Sequence, residues 1–102
     1  METDRMIKLT NGQTVSLSLN LRELKNLKLS DSELFEVTNK VIFKGPDDVV
    51  EIGSLIYAAY LMVPSNHQGK PYTFDEFLEL LPDLGIIKFL EIGNSLIMPK
   101  KK

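Results

Sequence analysis

The sequence predicts an α+β protein that is mostly helical, with an N-terminal β-hairpin followed by about four to five packed helices. Two observations carry this prediction. Alternating apolar and polar residues surround Asn11-Gly12, which is the strongest short-range signal for a hairpin. From Asn20 onward, apolar residues recur at helical spacing behind three capping-box patterns.

The hairpin pattern also predicts the turn. A two-residue Asn-Gly loop would pair apolar with polar residues, whereas a three-residue loop, 10–12, pairs Ile7 with Val15 and gives Gly12 a positive φ. Because a slip of one residue exchanges the two faces of a strand, this register is strongly constrained. The apolar face that it gathers consists of Ile7, Leu9, Val15, Leu17 and Leu19.

The first helix is predicted near residues 21–27. Asn20 and Glu23 have the spacing of a capping box. The apolar residues of the segment recur at every third position and are predicted to share one face. They are Leu21, Leu24 and Leu27.

The second helix is predicted near residues 31–44. Ser30 with Glu33 repeats the capping box, and Gly45 is suited to a C-terminal cap. The inward-facing residues are predicted to include Leu34, Val37 and Val41.

The third helix, predicted near residues 46–63, is apolar almost all round. Such a helix is central to a core or is covered partly by another chain. Asp47 and Asp48 at its start suit the helix dipole better than a metal site. Tyr57 and Tyr60 share one face, and two alternatives stay open for them: an aromatic interface patch or core packing.

The last two helices follow a loop rich in turn-forming residues. Thr73 with Glu76 predicts a short amphipathic helix that carries Phe74 and Phe77 on its apolar side. The final segment, "LGIIKFLEIGNSLIM", favours a helix over a pair of β-strands around Gly93.

The composition predicts one domain, 1–102, with disorder at 1–4 and 99–102. The chain has no cysteine, which removes disulfides, thiol catalysis and cysteine-based metal sites. The longest apolar stretch, 52–63, is shorter than the roughly 20 residues that a membrane span needs. The net charge of −2 argues against a dedicated nucleic-acid binder.

The charge is unevenly spread along the sequence. Residues 46–99 contain two lysines and eight acids, whereas 100–102 are three lysines. This distribution favours an ordinary solvated helical surface over its alternative, head-to-tail contacts between like subunits.

No constellation of residues indicates catalysis, a metal site or a cofactor. His67, the only histidine, lies among turn formers and is more typical of a solvated residue than of a base or a ligand. No glycine-rich phosphate loop is present in the sequence. The protein is therefore predicted not to be an enzyme, with no catalytic, cofactor-binding or metal-binding residues.

Three stretches, taken in order, carry a family resemblance: "IKLTNGQTVSLSLNLRELKNL", "ELFEVTNKVIFKGPDDVVEIGSLIYAAYLM" and "TFDEFLELLPDLGIIKFLE". Over roughly residues 5–97, the chain resembles the tail assembly chaperones of long-tailed phages and prophages of Gram-positive bacteria. The most specific part is "IYAAYLM" followed by a polar loop and "FDEFLELL". The loop "VPSNHQGKPY" has no counterpart in that pattern.

The resemblance implies a non-enzymatic protein without a cofactor. It would bind the tape-measure protein in the host bacterial cytoplasm, self-associate as a homo-oligomer, and be absent from the mature virion. A longer form made by ribosomal frameshifting is also implied, and the A-rich message behind "MPKKK" is consistent with it; an ordinary basic tail is the equal alternative.

Six apolar or aromatic side chains are predicted to bind partners: Ile52, Ile56, Tyr57, Tyr60, Phe74 and Phe77. The free edges of the two-stranded hairpin are a second candidate surface. Two other functions remain open, namely a small phage structural or connector protein retained in the virion, and a regulatory protein-binding module.

Overall fold

The N-terminal hairpin packs on a group of helices in a computed structural model that describes residues 6–68 and 70–97. Within these residues, five α-helices follow the hairpin, so the predicted fold class is confirmed. The elements are β1 (Met6–Lys8), β2 (Thr14–Ser16), α1 (Leu21–Ser30), α2 (Ser32–Lys44), α3 (Val49–Leu61), a 3₁₀ turn (Pro64–Asn66), α4 (Phe74–Leu80) and α5 (Ile86–Ile97). The ends predicted to be disordered, 1–4 and 99–102, lie outside the described residues.

The hairpin has the register and the turn that its sequence predicts. Ile7 pairs with Val15, and Gly12 has a φ of 93°. The Leu9 N–H donates to the Gln13 carbonyl at 2.7 Å, which closes the three-residue loop. The apolar face is buried against α3, except that Leu19 is only half-buried.

Helix α3 lies at the centre of the fold. It packs on α2, α4, α5 and β2, which explains why its sequence is apolar almost all round. Its fully buried residues include Leu55, Ile56, Ala58, Ala59 and Tyr60.

The start of α2 differs from the prediction. The N-cap is Asp31 rather than Ser30, because the Asp31 carboxylate accepts a hydrogen bond from the Leu34 N–H at 3.2 Å. The Asp31 N–H also donates to the Leu27 carbonyl and so ends α1. One residue therefore serves both helices, and Ser30 is the last residue of α1.

The predicted apolar face of α1 is only partly correct. Leu27 is buried and Leu24 half-buried, but Leu21 is 83% exposed. Since three residues advance about 300° around a helix, Leu21 lies about 120° away from Leu27 and points to solvent.

Helix α3 begins three residues later than predicted, at Val49, and ends at Leu61. Asp48 is its N-cap and accepts a hydrogen bond from the Glu51 N–H at 3.1 Å. Lys40 of α2 contacts Asp47 and Glu51, each at 2.7 Å. Its hydrogen bond to Asp47 is the main reason why the pKa of that carboxyl is lowered.

The last two helices agree with their predictions. Thr73 and Glu76 form both hydrogen bonds of a capping box at the start of α4. The final segment is helical, because α5 buries Gly93 and Leu96 against the core. Gly93 of α5 faces Ile52 and Leu55 of α3, and a Cβ atom at this position would lie at ordinary van der Waals distance from both.

Candidate partner-binding surface

An apolar groove opens between α3, α4 and the first turns of α5. Its volume is about 250 Å³. The residues that line it are all apolar: Val49, Val50, Ile52, Gly53, Ile56, Leu78, Leu81, Ile86, Phe89 and Leu90. Because no polar side chain lines the groove, an occupant would be held by the burial of apolar surface.

The rim of the groove leaves large apolar side chains in water. Ile86 is 55% exposed, and Ile87 beside it is 70% exposed. Val49 and Val50 are also more than half exposed at the start of α3. Single exposed apolar residues are ordinary on a protein surface, but a group of them around a groove is typical of an interaction site.

Gly53 keeps the floor of the groove open. A Cβ atom at this position would lie 3.3 Å from Cδ2 of Leu78, so the missing side chain provides the space between α3 and α4. On the other side of the groove, Gly85 has a φ of 87° and turns the chain into α5. This turn sets the direction in which α5 begins, and its first two residues are Ile86 and Ile87.

The six residues predicted to bind partners divide into three groups. Ile52 and Ile56 are buried in the single chain and form part of the groove floor. Tyr60 and Phe77 are fully buried in the core. The remaining two, Tyr57 and Phe74, are half-buried. As a partner surface, the set of six stays a prediction.

Tyr60 is the centre of an aromatic cluster near the C-terminal end of α3, whereas the groove lies along the N-terminal half of that helix. Its ring stacks on Phe77 with 4.7 Å between centroids, and on Tyr72 with 6.0 Å. The Tyr72 N–H donates to the Tyr60 hydroxyl at 2.9 Å, and the Tyr57 hydroxyl donates to the Tyr72 carbonyl at 2.8 Å. Burial raises the pKa of both the Tyr57 and the Tyr60 hydroxyl above that of a solvated tyrosine.

Asn66 links the hairpin to this cluster through hydrogen bonds of its side chain. Its side-chain amide accepts from the Ser16 N–H at 2.9 Å and donates to the Ser16 carbonyl at 2.8 Å. A third hydrogen bond joins Nδ2 of Asn66 to the Tyr60 carbonyl at 2.9 Å. Since Asn66 holds both backbone groups of Ser16, the edge of β2 is closed at that residue, contrary to the predicted free edge.

The histidine also departs from its prediction. His67 is half-buried rather than solvated, and its ring lies edge-on to Tyr60 with 5.5 Å between centroids. Its Nε2 atom is 3.2 Å from the Leu61 carbonyl. Within 6–68 and 70–97, no cluster of three His, Cys, Asp or Glu side chains is arranged to hold a metal.

The groove residues that the sequence analysis missed are Val49, Val50, Leu78, Leu81, Ile86, Phe89 and Leu90. A signal for some of them exists. Val49-Val50 and Ile86-Ile87 are adjacent apolar pairs at helix starts, and neighbours on a helix point about 100° apart. When one member of such a pair faces the core, the other is therefore expected to point away from it.

Comparison of the chain with known proteins identifies no relative. No family model, no curated protein and no solved structure matches the chain. Of the helices in the described part, none has the length and apolar character needed to cross a bilayer.

Proposed function

We propose that this protein is a non-enzymatic chaperone of phage tail assembly, which holds apolar segments of the tape-measure protein before the tail tube forms around it. The observation that supports this proposal most is the groove between α3, α4 and α5. It is lined only by apolar residues and bordered by exposed ones. A chaperone needs such an open apolar surface to cover apolar segments of its client.

The remaining parts of the proposal follow from the family resemblance. The protein would act in the host bacterial cytoplasm, self-associate, and be absent from the mature virion. A frameshifted longer form of the chain would be a second partner. Most polar side chains around Tyr60 and Asn66 are engaged in hydrogen bonds within the chain, which is consistent with a structural role for that cluster.

The test is co-expression with the tape-measure protein of the same phage, with the soluble fraction of that protein as the measured quantity. The wild-type chain should keep the tape-measure protein soluble and co-purify with it. Ile86→Glu should reduce both, because a charge on the groove rim opposes apolar contact. Leu29→Glu is the matched control, since Leu29 is 78% exposed on α1 and does not line the groove.

Two results would contradict the proposal. One is an insoluble tape-measure protein with the wild-type chain. The other is an equal loss with Ile86→Glu and Leu29→Glu, which would mean that the groove has no special part in holding the client. Detection of the chain in purified virions would instead favour a structural or connector protein.

A further inference from the structure

Three aspartates lie next to residues of the apolar groove, in the sequence or by one turn of a helix. Asp48, the N-cap of α3, directly precedes Val49, and Asp83 lies in the segment between α4 and α5. Asp75 lies one turn before Leu78 on α4, and residues three apart on a helix are neighbours on its surface. All three aspartates are exposed, so the groove has an acidic border.

The nearby lysines do not neutralise this border. Lys40 contacts Asp47 and Glu51 on the α2 side of α3. Lys88 follows Ile86 by two residues, which places it about 200° around α5 from that groove residue, and its described contact is to Glu91 at 3.9 Å. Within 6–68 and 70–97, none of the three bordering aspartates is joined to a basic side chain.

The walls of the groove also restrict the conformation of its occupant. They are formed mainly by three α-helices, whose backbone N–H and C=O groups are already hydrogen-bonded within each helix. An extended peptide would therefore find few backbone partners there and would leave its own polar groups unpaired. A helix satisfies its backbone internally and can place apolar side chains into a groove.

We infer that the groove accepts an amphipathic helix whose apolar face is flanked by lysine or arginine. This inference rests on the proposed client-holding role of the groove and adds the charge of the segment that it selects. The apolar anchors supply the attraction, because their side chains leave water when they enter the groove. The basic flanks select among apolar segments through contact with Asp48, Asp75 and Asp83.

The same border disfavours a second copy of this chain bound groove to groove. In a two-fold symmetric dimer whose axis passes through the groove, each groove would face the groove of its partner. The aspartates of the two copies would then come together, and like charges across an interface are unfavourable.

The test compares three synthetic helical peptides with one leucine face and different flanks: lysine, glutamine or glutamate. Binding to the full chain is measured by fluorescence anisotropy. The lysine peptide should bind about tenfold more tightly than the glutamate peptide, because exposed ion pairs contribute about 0.2–1 kcal/mol each. Its affinity should fall with added salt.

A charge-reversed variant tests the border itself. Asp75→Lys with Asp83→Lys should remove or invert the preference between the peptides. The matched control is Glu33→Lys with Glu36→Lys on α2: the charge change is equal, both residues are exposed, and Glu33 and Asp75 are each the second residue of their helix. The control should keep the preference for lysine.

The outcomes separate this inference from the proposed function. Equal binding of the three peptides would overturn the charge selection and leave the client-holding role intact. A different result would favour a second copy of the chain as the occupant of the groove. In that case no peptide binds, and the molecular mass of the protein rises with concentration but falls to 11.6 kDa in Ile86→Glu. This result would overturn the inference. Failure of the tape-measure experiment alone would remove the phage function and leave a groove for basic helices.

Discussion

The two ends of α3 are built differently. At the C-terminal end, called here the hairpin flank, rings stack on Tyr60, and Asn66 forms three side-chain hydrogen bonds to Ser16 and Tyr60. At the N-terminal end, called here the groove flank, Val49, Val50 and Ile86 remain more than half exposed. The first flank is closed by contacts within the chain, whereas the second has apolar surface left over. The difference indicates that the hairpin flank serves stability and that the groove flank is available for binding.

The largest expected effect separates the two flanks directly. Tyr60→Ser should lower the free energy of unfolding by about 3–5 kcal/mol, because it removes a fully buried ring from its stack on Phe77. Ile87→Ser, at a residue that is 70% exposed beside the groove, should change it by less than about 0.5 kcal/mol. Urea titration of both variants measures this contrast, and similar losses for the two would contradict it.

The next effect concerns the attachment of the hairpin. Asn66→Ala should lower the free energy of unfolding by about 3 kcal/mol, because it leaves the part-buried N–H and C=O groups of Ser16 without partners and removes a buried hydrogen bond to the Tyr60 carbonyl. Asn39→Ala is the control, since Asn39 is exposed on α2; it should change the stability by less than about 0.5 kcal/mol. If Asn66→Ala is as mild as the control, the hairpin is held by apolar packing alone.

The smallest expected effect tests whether side chains beside the groove can move to accept an added methyl group. Gly53→Ala should raise the free energy of unfolding by about 0.5 kcal/mol, because alanine favours a helix interior and the 36% exposed Leu78 side chain can move away from the new methyl group. Gly85→Ala should instead lower it by about 1 kcal/mol, since φ is 87° at that position. Thermal or urea unfolding measures both. A loss for Gly53→Ala would show that Leu78 is held in place.

The sequence predicted what depends on neighbours along the chain. The register of the hairpin, the Thr73–Glu76 capping box and the helix at 86–97 all follow from local patterns. The attachment of Ser16 by Asn66 spans 50 positions, and no local pattern indicates which backbone group a distant amide will contact. Prediction therefore missed this long-range contact, whereas its local errors were displacements of one to three residues at the starts of α2 and α3.

The groove illustrates the same limit for function. The apolar character of α3 indicated more surface than one small core needs, but not which of its faces stays open. That depends on how α4 and α5 approach α3, and α4 approaches closely at Gly53, where a Cβ atom would lie 3.3 Å from Cδ2 of Leu78. Consequently, the predicted partner residues Tyr60 and Phe77 lie in the core, while the exposed Ile86 and Ile87 beside the groove were not among the predicted residues.

The most direct measurement of the central claim is methyl NMR of the full chain during titration with the lysine-flanked peptide. If the groove flank is the binding surface, the shifted methyl groups should be those of Val50, Leu78 and Ile86, while those of Val15 and Val41, which are buried elsewhere, should stay unchanged. Shifts confined to the hairpin or to α1 and α2, with the groove methyl groups unmoved, would contradict the assignment of binding to the groove.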